Sequence, residues 1–319
     1  MISPLKRIES GLAEKVDSSN EESLLTKLPQ GPLSKRSLGV NAIQRVSGVL
    51  YCVVTSSSES RAVLVIDAGN TRVKFAWMEI PAGGGVPQSR GFTAIPVGGE
   101  LPVDLIREWL QGGTISLAVI AGSNPPEVER VRAAWSLDVP LEGLPPREKL
   151  PLVIDVDFPQ KVGIDRLLNA IAANVRRQPG QPAIVIDSGT ATTIDLIDET
   201  GTFRGGAILP GFEMSSKALH QYTALLPLVP HHRLHEREPE TVGRNTEAAV
   251  ESGLYWGHVG AVRELVDRLL QVCAGGGEPL VLLTGGTGPL LKKHLPFVDW
   301  DPAVCLQGLA LAAAAEARS

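Results

Sequence analysis

The sequence predicts an α/β protein built from two related halves that close around a cleft. A strand–turn–strand motif occurs twice, as VIDAGNTRVKF at residues 65–75 and as VIDSGTATTID at 185–195. One copy in each half signals a duplicated domain rather than chance. From Ala62 onward, short buried runs alternate with amphipathic stretches, the pattern of sheets covered by helices. The 319 residues also exceed what a single core usually holds.

Taken in order, residues 63–67 (VLVID) read as a buried strand, AGNT as a tight turn and 72–78 as the returning strand. Residues 101–111 and 125–136 read as amphipathic helices, with the apolar run SLAVIAG between them as another buried strand. Residues 152–156 are expected to form a strand and 163–177 (GIDRLLNAIAANVRR) a helix. Pro179, Gly180 and Pro182 then mark a loop and a domain boundary. The second copy of the motif follows at an offset of 187 − 67 = 120 residues, measured from Asp67 to Asp187. Beyond it come a strand at 203–209, a helix at 211–224, a long helix near 244–273, a strand at 279–284 and two more helices. The two domains are therefore expected at 61–182 and 183–319.

Residues 1–60 differ from the rest. Polar stretches such as EKVDSSNEESLLTK, with Pro29 and Pro32 as breakers, predict a mobile extension, or sequence upstream of the true start. Residues 43–55 within it read as a short strand or helix.

Composition excludes several classes of function. A net charge of −5 provides no basic footprint for nucleic acid or an anionic membrane. No run of about 18 apolar residues is present to span a bilayer. Cys52, Cys273 and Cys305 are odd in number and far apart, which argues against a disulfide framework or a zinc site and for a reducing cytoplasm. Any phosphate site must be local, built from backbone amides, helix ends and a bound cation.

The duplicated turns supply such a site. Gly69 lets the backbone turn sharply and approach a phosphate, Asn70 and Thr71 offer donors, Asp67 can hold a hydrated Mg2+, and Lys74 adds a positive charge. A single Asp-x-Gly turn is a common structural device, so the duplication carries the argument. The second copy crowds Asp187, Gly189, Thr190, Thr192 and Thr193 at one strand end. GIDR at 163–166 opens a helix. Read alone it is an ordinary first-turn ion pair; read functionally, Asp165 is a general base towards a hydroxyl and Arg166 holds a carboxylate through its planar fork. LLTGGTGPLL at 282–291 and GGAILPGFEM at 205–214 each pair a glycine turn with a helix start.

Together these elements resemble the type III pantothenate kinases of the actin-like ATPase superfamily. The resemblance runs from about Val63 to about Ala314 and rests on six ordered motifs: DAGNTRVK, VGIDRLLNAIAAN, VIDSGTATTIDLID, GGAILPGF with ALLPLV, GRNTEAAVESG and LTGGTG. It implies duplicated actin-like (ribonuclease H-like) domains around a nucleotide cleft, and transfer of phosphate from ATP, with Mg2+, to pantothenate on the way to coenzyme A.

By that resemblance Asp67, Ala68, Gly69, Asn70, Thr71, Arg72, Val73 and Lys74 bind the ATP phosphates, and Thr190 is a further ATP contact. Gly163, Ile164, Asp165 and Arg166 bind substrate, with Asp165 as proton acceptor. Asp187 holds a monovalent cation, K+ or NH4+, and Thr246 touches pantothenate in a site built across a homodimer. The long helix offers Leu254, Tyr255, Trp256 and Val259 as an interface stripe, with an intrachain core as their other use. One departure stands out: where the family usually has a substrate-touching Tyr, seven residues before the Gly of GIDR, this chain has Val156, with Phe158 nearby. Two rival functions are a superfamily kinase acting on a sugar or carboxylate, and a non-enzymatic regulator of the Bvg accessory factor-like branch.

Overall fold

Two five-stranded sheets of one topology carry the structure, a computed structural model that describes residues 60–111, 115–230, 232–273 and 277–316 and the backbone of three strands before them. Those three, Lys15–Val16 (β1), Val40–Val46 (β2) and Val49–Val54 (β3), form a sheet of their own in the order β1-β3-β2. They lie in the stretch expected to be a mobile extension and belong to a separate unit of the chain.

The first large sheet comprises Arg61–Ala68 (β4), Arg72–Ile80 (β5), Gln88–Pro96 (β6), Ile115–Ala121 (β7) and Leu141–Gly143 (β8), in the order β6-β5-β4-β7-β8. Helices Val103–Gln111 (α1) and Pro125–Ala133 (α2) flank β7 in the chain. Helix Ile164–Arg176 (α3) leads to the second sheet: Ala183–Ser188 (β9), Ala191–Ile197 (β10), Phe203–Pro210 (β11), Leu280–Thr284 (β12) and Asp299–Trp300 (β13). Its order, β11-β10-β9-β12-β13, repeats that of the first. In both sheets the second and third strands pair antiparallel, and the first pairs parallel with the fourth. Helices Phe212–Gln221 (α4), His232–Glu236 (α5), Thr246–Val272 (α6), Gly288–Lys292 (α7) and Val304–Glu316 (α8) complete the fold.

The pleat explains both the layers and the site. On β4, Val63 and Val65 join one core while Leu64 and Ile66 join another. On β9, Ala183 and Val185 face the first of these cores, and Ile184 and Ile186 face a third. The shared core also takes Leu167, Leu168 and Ile171 of α3 and Leu306, Leu309 and Ala313 of α8, so these two helices lie between the sheets. Close approach of α8 to α3 requires Gly308, whose missing Cβ would lie 1.9 Å from the Leu168 carbonyl oxygen. Each Leu or Ile removed from water here contributes about 1.5–3 kcal/mol.

Side chains alternate along a strand. Asp67 and Asp187 therefore continue the rows of Val65 and Val185, and both carboxylates emerge on the inter-sheet side at strand ends. Lys74 shares the row of Ala76 and Met78 on β5, and Asp195 the row of Ile197 on β10.

Two expectations need correction, and three strands were not foreseen. Residues 152–156 do not form a strand: Ile154 makes one parallel bridge to Phe203, after which the chain departs towards Phe158 and Pro159. Strands β6, β8 and β13 escape the sequence because β6 is half exposed and the others span three and two residues. The stripe on α6 is mainly core: Leu254, Tyr255 and Val259 are buried within the chain, and Trp256 donates its Nε1–H to the Pro239 carbonyl. Gly253, Gly257 and Ala261 are the exposed face instead. Among the described residues, no helix is long and apolar enough to cross a membrane.

Candidate active site

The two duplicated turns meet. Gly69 donates its backbone N–H to Arg72 O at 3.0 Å, and Gly189 donates to Ala191 O at 3.0 Å, so the second turn closes one residue sooner. The hydroxyls of Thr71 and Thr190 lie 2.8 Å apart, both on exposed residues. Asn70 donates to Ser123 Oγ at 3.3 Å. Ala68 and Val73 are buried behind the turn, while Arg72 is exposed.

Sequence reasoning missed a second duplicated element that supports these turns. Gly122 follows β7 as Gly285 follows β12, an offset of 285 − 122 = 163 residues. A Cβ on Gly122 would fall 2.1 Å from Ala68 O, and one on Gly285 would fall 2.3 Å from Ser188 O. The amide of Asn124 donates to Ala68 O and that of Thr287 to Ser188 O, at 3.2 and 3.0 Å. AGSNPP at 121–126 and TGGTGP at 284–289 share Gly, Asn or Thr, and Pro at this one offset. That constant spacing was the available signal.

Between the turns lies a group of charges. Lys74 Nζ is 3.1 Å from Asp67 Oδ2. Burial alone would lower the Lys74 ammonium, yet Asp67 foremost, with Asp187, raises its pKa. Asp165, on the first turn of α3, accepts the Arg166 backbone N–H at 2.9 Å. Its carboxylate folds over Gly163, where a Cβ would lie 2.5 Å from Oδ1. Glycine at 163 thus makes room for this rotamer, and half-buried Ile164 separates the two. Burial raises the Asp165 pKa, the Asp67 charge adds to the rise, and the Arg166 amide opposes it. Asp187 accepts Asn169 Nδ2–H at 2.9 Å, and its pKa is also raised, by burial first. Asp187 lies within electrostatic reach of Lys74, Asp165 and Asp67, and Asp165 within reach of Asp67. Three carboxylates thus face one ammonium.

Such an excess of negative charge favours a bound cation. Asn169 is 1% exposed, and among the described residues its Oδ1 has no hydrogen-bond partner, although its amide nitrogen is fixed on Asp187. A buried acceptor without a donor, beside a carboxylate of raised pKa, fits a monovalent cation.

Arg166 departs from expectation in its partner. Its fork does hold a carboxylate, but one of the chain's own: Nε lies 3.0 and 3.1 Å from the two oxygens of Asp195, and Nη2 closes the pair. Asp195 was not singled out from sequence. Thr246 is exposed at the start of α6, in the other half from GIDR, with Asn245 capping the helix. Val156 packs inward, 3.5 Å from where a Gly205 Cβ would stand, and Phe158 is exposed under the Lys161 ammonium at 4.7 Å.

The arrangement sets two duplicated Asp-x-Gly turns near a half-buried carboxylate of raised pKa, Asp165. The sequence pattern of the type III pantothenate kinases matches residues 63–268. The type III pantothenate kinase of Acidiphilium cryptum is 38% identical over 258 residues, covering 78% of this chain and 93% of that one. That of Rubrobacter xylanophilus is 40% identical over 199 residues, covering 60% and 74%. A solved structure described as a Baf family transcriptional activator from Campylobacter jejuni superposes with a TM-score of 0.51 at 17% identity, over 80% of this chain and all of that one, which bears on the fold alone. On its motifs, its duplicated sheet topology and these relatives, the chain belongs to the type III pantothenate kinase family.

Proposed function

We propose that the chain phosphorylates pantothenate with ATP to give 4'-phosphopantothenate, the first step towards coenzyme A. The observation that supports the reading is that the Asp165 carboxylate feels the charge of Asp67, which ends the first duplicated motif strand and pairs with Lys74. Residues 67–74 and Thr190 cradle the nucleotide phosphates through backbone amides and hydroxyls. Residues 163–166 and Thr246 hold pantothenate. Asp165 accepts the proton of the substrate hydroxyl as its oxygen forms the new bond to the γ-phosphorus. The bond from that phosphorus to the bridging oxygen breaks, and ADP leaves. Positioning and charge stabilisation supply most of the acceleration. Mg2+ bound with the nucleotide would neutralise phosphate charge, and a K+ or NH4+ ion at Asp187 and Asn169 would offset the surplus carboxylates.

The test is a coupled assay of ADP release with pantothenate and ATP in potassium salts. Turnover that requires pantothenate supports the reading. Turnover with a sugar or simple carboxylate instead points to another superfamily kinase, and none with any acceptor points to a regulator.

The assembly we propose is a homodimer in the cytoplasm, contacting through the exposed Gly253, Gly257 and Ala261 face of α6. Beside it lies a groove of about 650 Å³ lined by Leu219, Tyr222 and His258. Sedimentation that shows an active monomer overturns this assembly. We also keep the division into 61–182 and 183–319, with residues 1–60 dispensable; a chain starting near Arg61 that is insoluble overturns that dispensability.

A further inference from the structure

We infer that Asp195 is a positioning residue for substrate binding: it fixes the Arg166 guanidinium by one edge and leaves Nη1 as the donor presented to pantothenate. The inference rests on the pantothenate kinase reading of residues 163–166.

Four features converge on the pair. The carboxylate grips the Nε and Nη2 edge of Arg166 at the distances given above, from strand β10 to helix α3. Asp195 is 2% exposed and the Arg166 side chain 13%, so water does little to loosen the contact. The Phe203 ring centroid lies 5.5 Å from Arg166 Cζ and backs the guanidinium. Gly206 stands opposite Asp195 in the β10–β11 register, and a Cβ there would come within 2.7 Å of Asp195 Oδ1. The β10 backbone itself requires glycine here, with Ile194 O 2.0 Å from that Cβ, and the same missing Cβ leaves room for the Asp195 carboxylate.

Arginine carries five N–H donors in a rigid fork. Asp195 takes the donors of one edge. Among the described residues, Nη1 makes no hydrogen bond. A long side chain held in one rotamer loses less entropy when substrate arrives. Because a buried carboxylate already meets its charge, Arg166 acts as an oriented donor rather than as an unpaired cation. Burial raises the Asp195 pKa and Arg166 opposes that rise, in keeping with a carboxylate held by its partner. Loss of Asp195 should weaken pantothenate binding through Arg166 and leave the nucleotide turns alone.

The experiment compares wild type with Asp195→Asn, Asp195→Glu, Arg166→Gln and the double variant Arg166→Gln with Asp195→Asn. Pantothenate and ATP are varied separately, and folding is followed by circular dichroism. Asp195→Asn should raise the pantothenate KM about tenfold or more and change the ATP KM by less than about twofold. In the Arg166→Gln background the same change should add less than about twofold, because residues that act as one unit are not additive. A folded Asp195→Asn or Asp195→Glu enzyme with an unchanged pantothenate KM overturns the inference, as does an equal effect in both backgrounds. Failure of both single Asp195 variants to fold assigns the residue to stability and overturns it too. A wild type inert towards pantothenate overturns the substrate reading itself, and the inference with it.

Discussion

Thr71 and Thr190 stand 119 residues apart in the chain and meet hydroxyl to hydroxyl, with 2.8 Å between their Oγ1 atoms. The offset is one less than that between Asp67 and Asp187 because the second turn is one residue tighter. The contact joins the tips of the two duplicated turns, which are proposed to cradle the nucleotide phosphates. When nucleotide binds, each hydroxyl can exchange its partner for a phosphate oxygen. Replacing either with Val keeps the shape and removes the donor. Thr71→Val and Thr190→Val should each raise the ATP KM about tenfold, as for loss of a hydrogen bond to a charged group. The pantothenate KM should stay within about twofold. Steady-state kinetics in which neither variant alters the ATP KM would remove these hydroxyls from the nucleotide site.

Much of this site was legible because strand alternation and spacing are local rules. The duplicated Asp-x-Gly turns, GIDR at a helix start and the TGGTG turn all stand where the pattern of residues puts them. What escaped depends on contacts between distant elements. Asp195 reads as one more polar position on a strand until α3 brings Arg166 against it. Asn169 looks like a polar interruption of a helix until Asp187 is found at its tip. Leu254 and Tyr255 fit an interface or a core equally well in sequence because an apolar helix face has no address there; a neighbouring helix and a surface look alike. The first-half loop AGSNPP could have been found, since its offset from TGGTGP is constant, but its weaker identity hid it.

Asp165 is assigned the proton. Asp165→Asn preserves size and the hydrogen bond from the Arg166 amide while removing the base. Turnover should fall roughly 100-fold or more, the scale of general-base loss, with little change in melting temperature. The base works deprotonated and its pKa is raised, chiefly by burial. Activity is therefore lost as pH falls through a value above the ordinary 3.8 of aspartate. A pH–rate profile of the variant should lack that acid limb. Near-normal turnover in folded Asp165→Asn protein would transfer the role elsewhere.

A monovalent cation held by Asn169 and Asp187, as proposed, should register in stability. A ligand that binds only the folded chain stabilises it in proportion to the logarithm of its concentration over Kd, about 2.7 kcal/mol at a hundredfold excess. The wild type should melt several degrees higher in KCl or NH4Cl than in NaCl at equal ionic strength, at about 2–4 °C per kcal/mol for a chain of this order of size. Asn169→Leu and Asp187→Asn should each abolish the difference. A potassium increment that persists in both variants would place the ion at another site.

His258 gives the fold a pH dependence that starts near neutrality. Its ring is 7% exposed, lies 4.2 Å from the Phe212 ring centroid, and puts Nε2 3.1 Å from Thr192 Oγ1. From Thr192 the contacts run to Ser188 at 3.2 Å and on to Thr287 at 2.6 Å, tying α6 to the turn that follows β12. Burial lowers the His258 pKa from 6.5 to about 4. Between those values the unfolded chain binds the proton and the folded chain does not, so stability rises with pH across that window. The contribution is complete above about pH 6.5 and is lost as pH falls towards 4, on the order of 3 kcal/mol in all. Asp165, Asp187 and Asp195, whose pKa values are raised, work in the opposite sense and stabilise the fold at low pH. Wild-type data alone would therefore mix the two effects, and subtraction of a variant separates them. Urea unfolding of the wild type and of His258→Gln at pH 5 and at pH 7.5 isolates the histidine. Gln can still bond to Thr192 but does not titrate, so the variant should lose about 2 kcal/mol less than the wild type between these two pH values. Equal losses in the two proteins would show that His258 takes up its proton as readily in the folded chain as in the unfolded one.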